Sequence, residues 1–218
     1  MDRQFQDRAE AGKLLAAYLL GYANKPDLLV LALPRGGVPV AFEVATALGA
    51  PLDVFVVRKL GVPGQEELAM GAIASGGVRV LNHEVVRSLQ IPRQVIDTVT
   101  ADEQRELRRR ELLYRGKRPA LDVHGRTVIV VDDGLATGAT MRAAIAALQA
   151  YRPGQIVVAV PVAELLSCRA LAEQIGEVAC LMTPQPLQAI GLWYVDFSQT
   201  TDDQVCELLA RAARNDNN

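Results

Sequence analysis

Residues 128–140 constrain the fold of this chain more than any other segment. They read Val-Ile-Val-Val-Asp-Asp-Gly-Leu-Ala-Thr-Gly-Ala-Thr. Four β-favouring apolar residues run into two carboxylates, and a short loop with Gly134 and Gly138 then leads into an Ala-rich helical pattern. This order predicts a site at the carboxyl edge of a parallel sheet, where loop amides and a helix N-terminus can hold a phosphate.

The acidic pair, Asp132 and Asp133, narrows the ligand that such a loop can take. A carboxylate beside a phosphate repels it, so the pair makes sense if it accepts hydrogen bonds from sugar hydroxyls or faces a divalent cation. The hydroxyls of Thr137 and Thr140 can donate to phosphate oxygens. The segment differs from a Walker A loop because no lysine follows its second glycine. It therefore predicts a phosphorylated sugar bound together with a metal ion.

A second loop of the same kind follows another apolar run. Residues 33–39 read Leu-Pro-Arg-Gly-Gly-Val-Pro, with Pro39 near the favoured first position of a helix. The two glycines let backbone amides approach an anion closely, and Arg35 adds a positive charge. Two anion-binding loops at two strand ends predict a ligand with phosphate groups at both ends of a ribose.

The hydrophobic pattern predicts an α/β fold with a parallel β-sheet core flanked by helices. Nearly continuous apolar runs alternate with helical patterns, which is typical of a parallel sheet covered on both faces. The predicted strands are 28–33, 52–57, 127–131, 156–160 and 178–182. The predicted helices between them are 38–48, 138–151 and 164–176. At 218 residues, the chain is expected to form a single domain over 1–218.

Three segments depart from this alternation. Residues 60–80 are rich in glycine around short β-like runs, which predicts a flexible loop or hairpin. Residues 83–118 form a predicted helical insertion, within which 92–118 reads as one long polar helix of mixed arginines and glutamates. Such a helix usually presents a salt-bridged face to solvent. The third segment, 183–200, follows the last predicted strand.

Composition excludes several classes of function. Half of the residues are hydrophobic, 22% are charged and the formal net charge is -2, so no basic field argues for a nucleic-acid partner. The cysteines Cys168, Cys180 and Cys206 form no CxxC pair, which favours reduced thiols over disulfides or a zinc site.

The beginning of the sequence needs separate attention, because residues 14–23 are apolar over the length of a signal peptide. Acidic residues mixed with the basic ones before this run argue against a signal peptide. We expect an amphipathic first helix over about 5–22. No apolar stretch approaches the ~18 residues of a membrane span, so a cytoplasmic protein without a membrane partner is expected.

Residues 130–140, Val-Val-Asp-Asp-Gly-Leu-Ala-Thr-Gly-Ala-Thr, resemble the phosphoribosyl pyrophosphate (PRPP) binding motif of type I phosphoribosyltransferases. The resemblance implies the fold of that family. It also implies that Asp132 and Asp133 bind the ribose 2′ and 3′ hydroxyls and meet a metal only indirectly, through ribose or water. The implied 5′-phosphate loop comprises Gly134, Leu135, Ala136, Thr137, Gly138, Ala139 and Thr140. The implied pyrophosphate loop comprises Arg35, Gly36 and Gly37.

Arg58 and Lys59 follow the strand predicted at 52–57. Two cations at a strand end are often a solvated edge, and that interpretation stays open. The resemblance implies instead that both face PRPP, just before a flexible loop at 60–77 that closes on the reaction. The polar residues of this segment are not the cationic set of the related orotate enzymes, so the resemblance does not say which of them contacts a substrate.

The segment 191–200, Gly-Leu-Trp-Tyr-Val-Asp-Phe-Ser-Gln-Thr, concentrates three aromatic residues. Aromatic rings can stack on a planar base. The resemblance implies that residues 183–200 form the family's variable hood near the site. Core packing is the stronger expectation for each ring taken singly, including Trp193. The Asp-Phe-Ser-Gln-Thr tail is similar to a subgroup of phosphoribosyltransferase-domain proteins whose acceptor is unassigned.

The resemblance implies a Mg²⁺-dependent enzyme that transfers the 5-phosphoribosyl group from PRPP to a small nitrogenous acceptor and releases pyrophosphate. The acceptor implied is a nucleobase or a similar compound, and a homodimer is compatible with the sequence. Two alternatives stay open: a non-catalytic PRPP-binding regulatory protein, and hydrolysis or transfer involving another phosphorylated sugar. His83 and His124 are far apart in ordinary contexts, and both are expected to be structural.

Overall fold

The computed structural model describes residues 4–116 and 118–215. Residue 117, inside the predicted insertion 83–118, lies outside the described residues. The helices are α1 (Arg8–Tyr18), α2 (Gly37–Leu48), α3 (His83–Ser88), α4 (Arg93–Arg115), α5 (Ala139–Gln149), α6 (Leu165–Ile175) and α7 (Asp202–Asn215).

The strands belong to two separate sheets. They are β1 (Leu28–Ala32), β2 (Leu52–Val54), β3 (Val57–Val62), β4 (Gln65–Ala74), β5 (Val78–Leu81), β6 (Thr127–Val131), β7 (Gln155–Val162) and β8 (Val178–Met182). The chain divides into two compact units. The first unit comprises 1–54, 123–138 and 153–218, and the second comprises 55–122 and 139–152. The sequence predicted that residues 1–218 form a single domain. Whether the two units act as one domain stays a prediction.

The first unit contains a five-stranded sheet of order β2-β1-β6-β7-β8, in which every neighbouring pair is parallel. All residues of β1 and β6 are buried, so both faces of the sheet are covered at its centre. Strands buried on both faces read as continuous Val, Ile and Leu runs, which explains why the hydrophobic pattern detected them. The predicted α/β fold with a parallel core flanked by helices is confirmed.

The strand order places a topological switch point between β1 and β6. From β1 the chain continues to β2 on one side, while β6, β7 and β8 extend the sheet on the other side. In open parallel sheets, ligands bind outside the carboxyl ends of the strands at such a point. The loops that follow β1 and β6 are the two anion-binding loops predicted from the sequence.

Two helix ends in the first unit follow local rules. Asp7 precedes α1 and its carboxylate accepts a hydrogen bond from the Glu10 amide at 2.8 Å, a typical N-cap. At the C-terminal end of α2, Gly49 takes the left-handed conformation with φ 61°, which favours glycine. Because α2 begins at Gly37, Pro39 is the third helical residue and not the first, and it still lies in the turn where proline is tolerated.

The second unit contains an antiparallel sheet of order β3-β4-β5. The hairpin predicted at 60–80 is present, because β4 pairs with β3 and β5 in antiparallel orientation. The predicted flexibility of this segment stays a prediction. The strand expected at 52–57 is wrong as one element, because β2 ends at Val54 and β3 begins at Val57 in the other sheet. Phe55 and Val56 are both buried, so the apolar pattern continues across the change of sheet.

The long polar helix of the insertion is confirmed as α4, and its charges pair along its own surface. Glu106 accepts hydrogen bonds from Arg109 at 2.8 Å and from Arg110 at 2.7 Å. These two guanidinium groups lower the pKa of Glu106 to about 2. Pairs at this spacing stabilise a solvent-facing helix, as the sequence predicted. Across the described ranges, no helix combines the length and the apolar character needed to cross a membrane.

Candidate active site

The two predicted anion-binding loops meet at the edge of the first unit's sheet. Strands β1 and β6 pair in register up to Ala32 opposite Val131, so both loops leave the sheet at the same level. The Leu33 amide donates a hydrogen bond to the Val131 carbonyl at 2.9 Å and extends this pairing by one residue. The structure therefore brings Arg35, Gly36 and Gly37 beside Asp132 and Asp133.

Glycine is required at both positions where these loops touch. A Cβ added at Gly37 would lie 2.6 Å from the Val131 carbonyl oxygen, and one added at Gly36 would overlap the carboxylate of Asp133. Gly36 is the N-cap of α2, so the first amides of this helix lie next to the acidic pair. The sequence predicted these two glycines to let backbone amides approach an anion. The contacts add a steric reason for glycine at both positions.

Arg35 lies at the surface of the same loop. Its side chain is 31% exposed, and its Nη1 is 3.7 Å from Oδ1 of Asp202 at the start of α7. The peptide bond that joins Pro34 and Arg35 is cis. The guanidinium lies beside the loop in a weak, partly exposed ion pair.

The acidic pair is partly buried and carries more negative charge than its surroundings neutralise. The Asp132 carboxylate accepts a hydrogen bond from the Asp133 amide at 2.9 Å. Burial, and then the neighbouring Asp133, raise the pKa of Asp132 well above its ordinary value. Burial also raises the pKa of Asp133, and the Arg8 guanidinium partly offsets this effect. Two adjacent carboxylates held in this way are poised to take hydroxyl donors or a cation.

Arg8, the first residue of α1, is bound directly to Asp133 of the acidic pair. Its Nε donates to Oδ2 of Asp133 at 2.8 Å and its Nη1 donates to the Ser198 carbonyl at 2.7 Å. The Arg8 side chain is only 11% exposed and the Asp133 side chain 17%. The guanidinium carbon lies 4.0 Å from the centre of the Phe197 ring. This buried ion pair joins α1, the acidic loop and the C-terminal part of the first unit.

The predicted 5′-phosphate loop is anchored at its beginning. The Leu135 amide donates to the Val162 carbonyl at 2.9 Å, and the Leu135 carbonyl accepts from the Glu164 amide at 2.7 Å. Gly134 packs so closely on Ile190 that a Cβ there would overlap its side chain. Beyond this anchor the side chains of Ala136 and Thr137 are exposed.

The end of this loop carries the conformation that its sequence predicted. Gly138 has φ 71°, which favours glycine. Ala139 and Thr140 are the first residues of α5 and belong to the second unit. The helix start expected after the glycine loop is therefore present.

Arg58 and Lys59 lie in the second unit, and one detail of their predicted position is wrong. They are inside β3 and do not end a strand. The strand continues because Arg58 and Lys59 pair with Ile73 and Ala72 of β4. Arg58 Nε donates to Oε2 of Glu103 on α4 at 2.6 Å, so this cation already has a partner. Their predicted contact with PRPP stays a prediction.

Tyr194 of the predicted hood is a core residue. The residue is 4% exposed, and its ring packs against Phe5 and Phe197 at centroid distances of 5.4 and 5.0 Å. Its hydroxyl donates to the Asp133 carbonyl at 2.6 Å. Trp193 packs on the same apolar cluster. Core packing, the stronger expectation for these rings, is confirmed for Tyr194.

Sequence patterns did not identify Arg8. A single arginine at the start of an amphipathic helix looks like any solvated cation, and the acid that it meets is 125 positions away. The tail at 196–200 resembles a subgroup of the family, but its sequence does not indicate a contact with Arg8. The Ser198 carbonyl in that tail is the second acceptor of the Arg8 side chain.

A parallel α/β sheet with two glycine loops at its switch point is the arrangement of an α/β protein that binds a ligand at the carboxyl edge of its strands. The sequence model described as "Phosphoribosyl transferase domain" matches residues 4–169. The chain belongs to this family.

Related proteins agree with this assignment. A protein of Mycobacterium tuberculosis H37Rv that is named as a phosphoribosyl transferase is 48% identical over 210 residues, which cover 96% of this chain and 47% of that protein. The bifunctional protein PyrR of a Roseiflexus species is 34% identical over 131 residues, covering 56% of this chain and 62% of that protein. This chain thus spans about half the length of the mycobacterial relatives that it matches.

A solved structure shows the same fold over nearly the whole chain. The crystal structure of the Thermus thermophilus protein TT1426 superposes with a TM-score of 0.87 at 42% sequence identity. The superposition covers 95% of this chain and 98% of that protein.

Proposed function

We propose that this protein transfers the 5-phosphoribosyl group of PRPP to a small nitrogenous acceptor and releases pyrophosphate. The observation that carries the proposal is the close approach of the Arg35–Gly37 loop to the acidic pair Asp132–Asp133. A ribose held by the two acids would have an anion-binding loop at its C1 side. The loop that begins at Gly134 would hold the phosphate at C5. Family membership and the two loops support the same ligand.

The reaction breaks the bond between ribose C1 and the pyrophosphate oxygen, and the electron pair leaves with pyrophosphate. A lone pair on the acceptor nitrogen then forms the new bond to C1, and a proton on that nitrogen is released. The sugar becomes cationic as the bond breaks, so positioning and charge stabilisation supply most of the catalysis. This scheme needs no nucleophile from the protein.

The site residues divide these tasks by their chemistry. Asp132 and Asp133 would accept hydrogen bonds from the ribose hydroxyls and favour the cationic sugar. Arg35 and the amides of Gly36 and Gly37 would hold the charge of the leaving pyrophosphate. The family resemblance assigns Arg58 and Lys59 to the same ligand, which requires Arg58 to release or share Glu103.

The donor set fits Mg²⁺ if the ligand completes its coordination. Asp132 and Asp133 offer hard oxygen ligands, and Arg8 offsets only part of their charge. Over residues 4–116 and 118–215, no group of three or more His, Cys, Asp and Glu side chains could hold a metal ion. As the family resemblance implies, the two acids would hold the ion through ribose hydroxyls or water, and the bound ion would neutralise charge on the pyrophosphate.

An acceptor screen tests the proposed transfer. The protein is incubated with PRPP, Mg²⁺ and a panel of purines, pyrimidines and simple amines, and released pyrophosphate is measured. We expect release with at least one acceptor. Binding of PRPP without release for any member of the panel would contradict the transferase and would favour a non-catalytic role.

The substitution Asp133→Asn tests the acidic pair. We expect it to abolish pyrophosphate release, because an amide cannot replace the charge that stabilises the cationic sugar. The exposed Asp122 offers a matched control, and Asp122→Asn should leave turnover unchanged. Circular dichroism and thermal unfolding show whether each variant is folded. Wild-type turnover in a folded Asp133→Asn protein would show that the acidic pair has another role.

The alternative of a PRPP-binding regulator receives little support from α4. At least four of its arginines are paired with acids of the same helix: Arg93 with Asp97, Arg105 with Asp102, and Arg109 and Arg110 with Glu106. Charges neutralised in this way contribute little to nucleic-acid binding. Tight PRPP binding, no pyrophosphate release and salt-dependent RNA binding together would nevertheless establish that role.

A further inference from the structure

Arg8 is a cation that the structure places directly on Asp133, one of the two predicted ribose-binding acids. It is not part of either loop motif, and it reaches Asp133 from the beginning of α1. Its side chain is 11% exposed, and burying a guanidinium to this degree costs free energy unless it is well paired. The pairing of Arg8 is therefore more than a surface ion pair, and its role has to be explained.

We propose that Arg8 is a positioning residue for ribose recognition: it fixes the Asp133 carboxylate so that one oxygen is left for the sugar. This inference rests on the proposed function, in which Asp133 binds a ribose hydroxyl. Arg8 itself would not touch the ligand.

The first support is that the two carboxylate oxygens of Asp133 have different roles. Oδ2 accepts the hydrogen bond from Arg8 Nε at 2.8 Å and lies where a Cβ of Gly36 would overlap it. Arg8 is also the side chain whose charge and hydrogen bond act against the raised pKa of this carboxyl. With Oδ2 engaged by Arg8, Oδ1 is the acceptor offered to a hydroxyl, and its direction is set by the bond to Oδ2.

The second support is that Arg8 is itself held from two further sides. Its Nη1 donates to the Ser198 carbonyl at 2.7 Å, and its guanidinium carbon lies 4.0 Å from the centre of the Phe197 ring. A guanidinium that stacks on a ring and donates in two directions loses little further freedom when its carboxylate binds a ligand. A lysine can reproduce the charge but not this planar arrangement.

The third support is that the Asp133 backbone is fixed as well. The buried Tyr194 hydroxyl donates to the Asp133 carbonyl at 2.6 Å. Tyr194 also packs on Phe197, the ring beneath Arg8. The main chain and the carboxylate of one residue are thus held by two neighbouring side chains, which is the support a preorganised binding group requires.

Sugar phosphates that differ in one hydroxyl measure this role directly. We would compare ribose 5-phosphate, 2-deoxyribose 5-phosphate and PRPP by isothermal titration calorimetry in Mg²⁺. Inorganic pyrophosphate serves as a further probe, because its proposed site is the Arg35 loop and needs no ribose hydroxyl. The wild-type protein should prefer ribose 5-phosphate to its 2-deoxy analogue.

The test variant is Arg8→Met, which keeps much of the aliphatic volume and removes both hydrogen bonds. We expect its preference for ribose 5-phosphate over the deoxy analogue to fall by about ten- to a hundredfold, the scale of a hydrogen bond to a charged group. Its affinity for pyrophosphate should change less than about twofold. Arg8→Lys should recover part of the preference, because it restores the charge without the stacked fork.

Arg211 provides a matched control, since its guanidinium also stacks on a ring, that of Phe42, at 4.8 Å. Arg211→Met should leave the preference between the two sugars unchanged. If Arg8→Met does not fold, Phe197→Leu serves as the second variant, because it keeps Arg8 and removes the ring beneath it. That variant should also weaken the preference.

The outcomes separate this inference from the proposed function. If the wild-type protein binds neither PRPP nor ribose 5-phosphate, the proposed function fails. If it binds both and prefers the ribose compound, but folded Arg8 or Phe197 variants keep the full preference, the positioning role of Arg8 is wrong. An equal loss of affinity for pyrophosphate would also overturn it, because that loss indicates general structural damage.

Discussion

Asp132 shows how a residue predicted to bind a ligand can reduce the stability of the fold. Its carboxylate is partly buried beside a second carboxylate, and both effects raise its pKa. A raised pKa means that the unfolded chain loses the proton first as the pH rises. Stability from this group is therefore present below the ordinary carboxyl pKa and is lost as the pH rises through the folded value.

We predict that Asp132→Asn stabilises the ligand-free protein at neutral pH. The amide can still accept the hydrogen bond from the Asp133 amide while removing the unfavourable charge. An increase in Tm of about 2–4 °C is expected at pH 7, the shift that ~1 kcal/mol gives in a chain of this size. The gain should shrink as the pH falls towards 4, and thermal unfolding from pH 4 to 8 measures it.

Asp27 provides a control of opposite sign. A hydrogen bond from the Thr127 hydroxyl, at 2.7 Å, is the main cause that lowers the pKa of Asp27. Stability from this group is present above the ordinary pKa and is lost as the pH falls. Asp27→Asn should therefore lower Tm at pH 7. A decrease in Tm for Asp132→Asn as well would contradict the account of the acidic pair.

Gly36 is a residue at which even a methyl group should be harmful. A Cβ there overlaps the Asp133 carboxylate, so Gly36→Ala must move either the α2 N-terminus or the acid. We expect a loss of PRPP affinity of at least tenfold and a destabilisation of about 1–3 kcal/mol, typical of overpacking. Gly21→Ala is the control, since a Cβ at Gly21 meets no atom within 4 Å. Calorimetry and urea unfolding of both variants test this expectation.

At the scale of elements, the ion pair between Arg58 and Glu103 connects β3 to α4 in the second unit. The two atoms are 2.6 Å apart, and the side chains are 31% and 26% exposed. We predict a coupling free energy of about 1 kcal/mol, at the upper end for pairs that retain contact with solvent. A double-mutant cycle of Arg58→Met and Glu103→Gln under urea unfolding gives this value. Coupling near zero would show that packing alone holds α4 on the strand.

Strands and helices were predictable from the sequence where a single rule explains the whole residue pattern of the element. Strands β1 and β6 are buried on both faces, and α4 carries paired charges over its length, so each follows a single rule. The change from β2 to β3 follows none, because Phe55 and Val56 keep the apolar run continuous while the chain changes sheets. Hydrogen-bond partners, rather than hydrophobicity, decide that boundary.

The candidate site was predictable in the parts that are local in sequence. The loops at 33–37 and 132–138 carry their chemistry in adjacent residues and follow recognisable strands. Arg8 and the Tyr194 hydroxyl act on Asp133 across 125 and 61 positions, and no local pattern encodes those contacts. Long-range partners become visible only when the sheet has brought their elements together.

At the scale of the whole molecule, the cysteines predict slow thiol chemistry. All three are thiols rather than disulfides, and burial raises the pKa of each, that of Cys180 to about 12. A thiol reagent at pH 8 should react with Cys180 about a thousandfold more slowly in the native protein than in urea, because the thiolate is the reactive form and its fraction falls by that factor. Single Cys→Ser variants assign each phase. Rapid reaction of all three native thiols would contradict their burial.

The hydrogen bond from Arg8 to the Ser198 carbonyl joins positions 190 residues apart, with the acidic loop between them. Chains grow from their N-terminus during synthesis and their domains fold as units. A growing chain cannot complete this contact before residue 198 has left the ribosome. Sugar-phosphate capture would thus begin only after residue 198 has emerged, and nascent chains of increasing length would gain it abruptly rather than gradually.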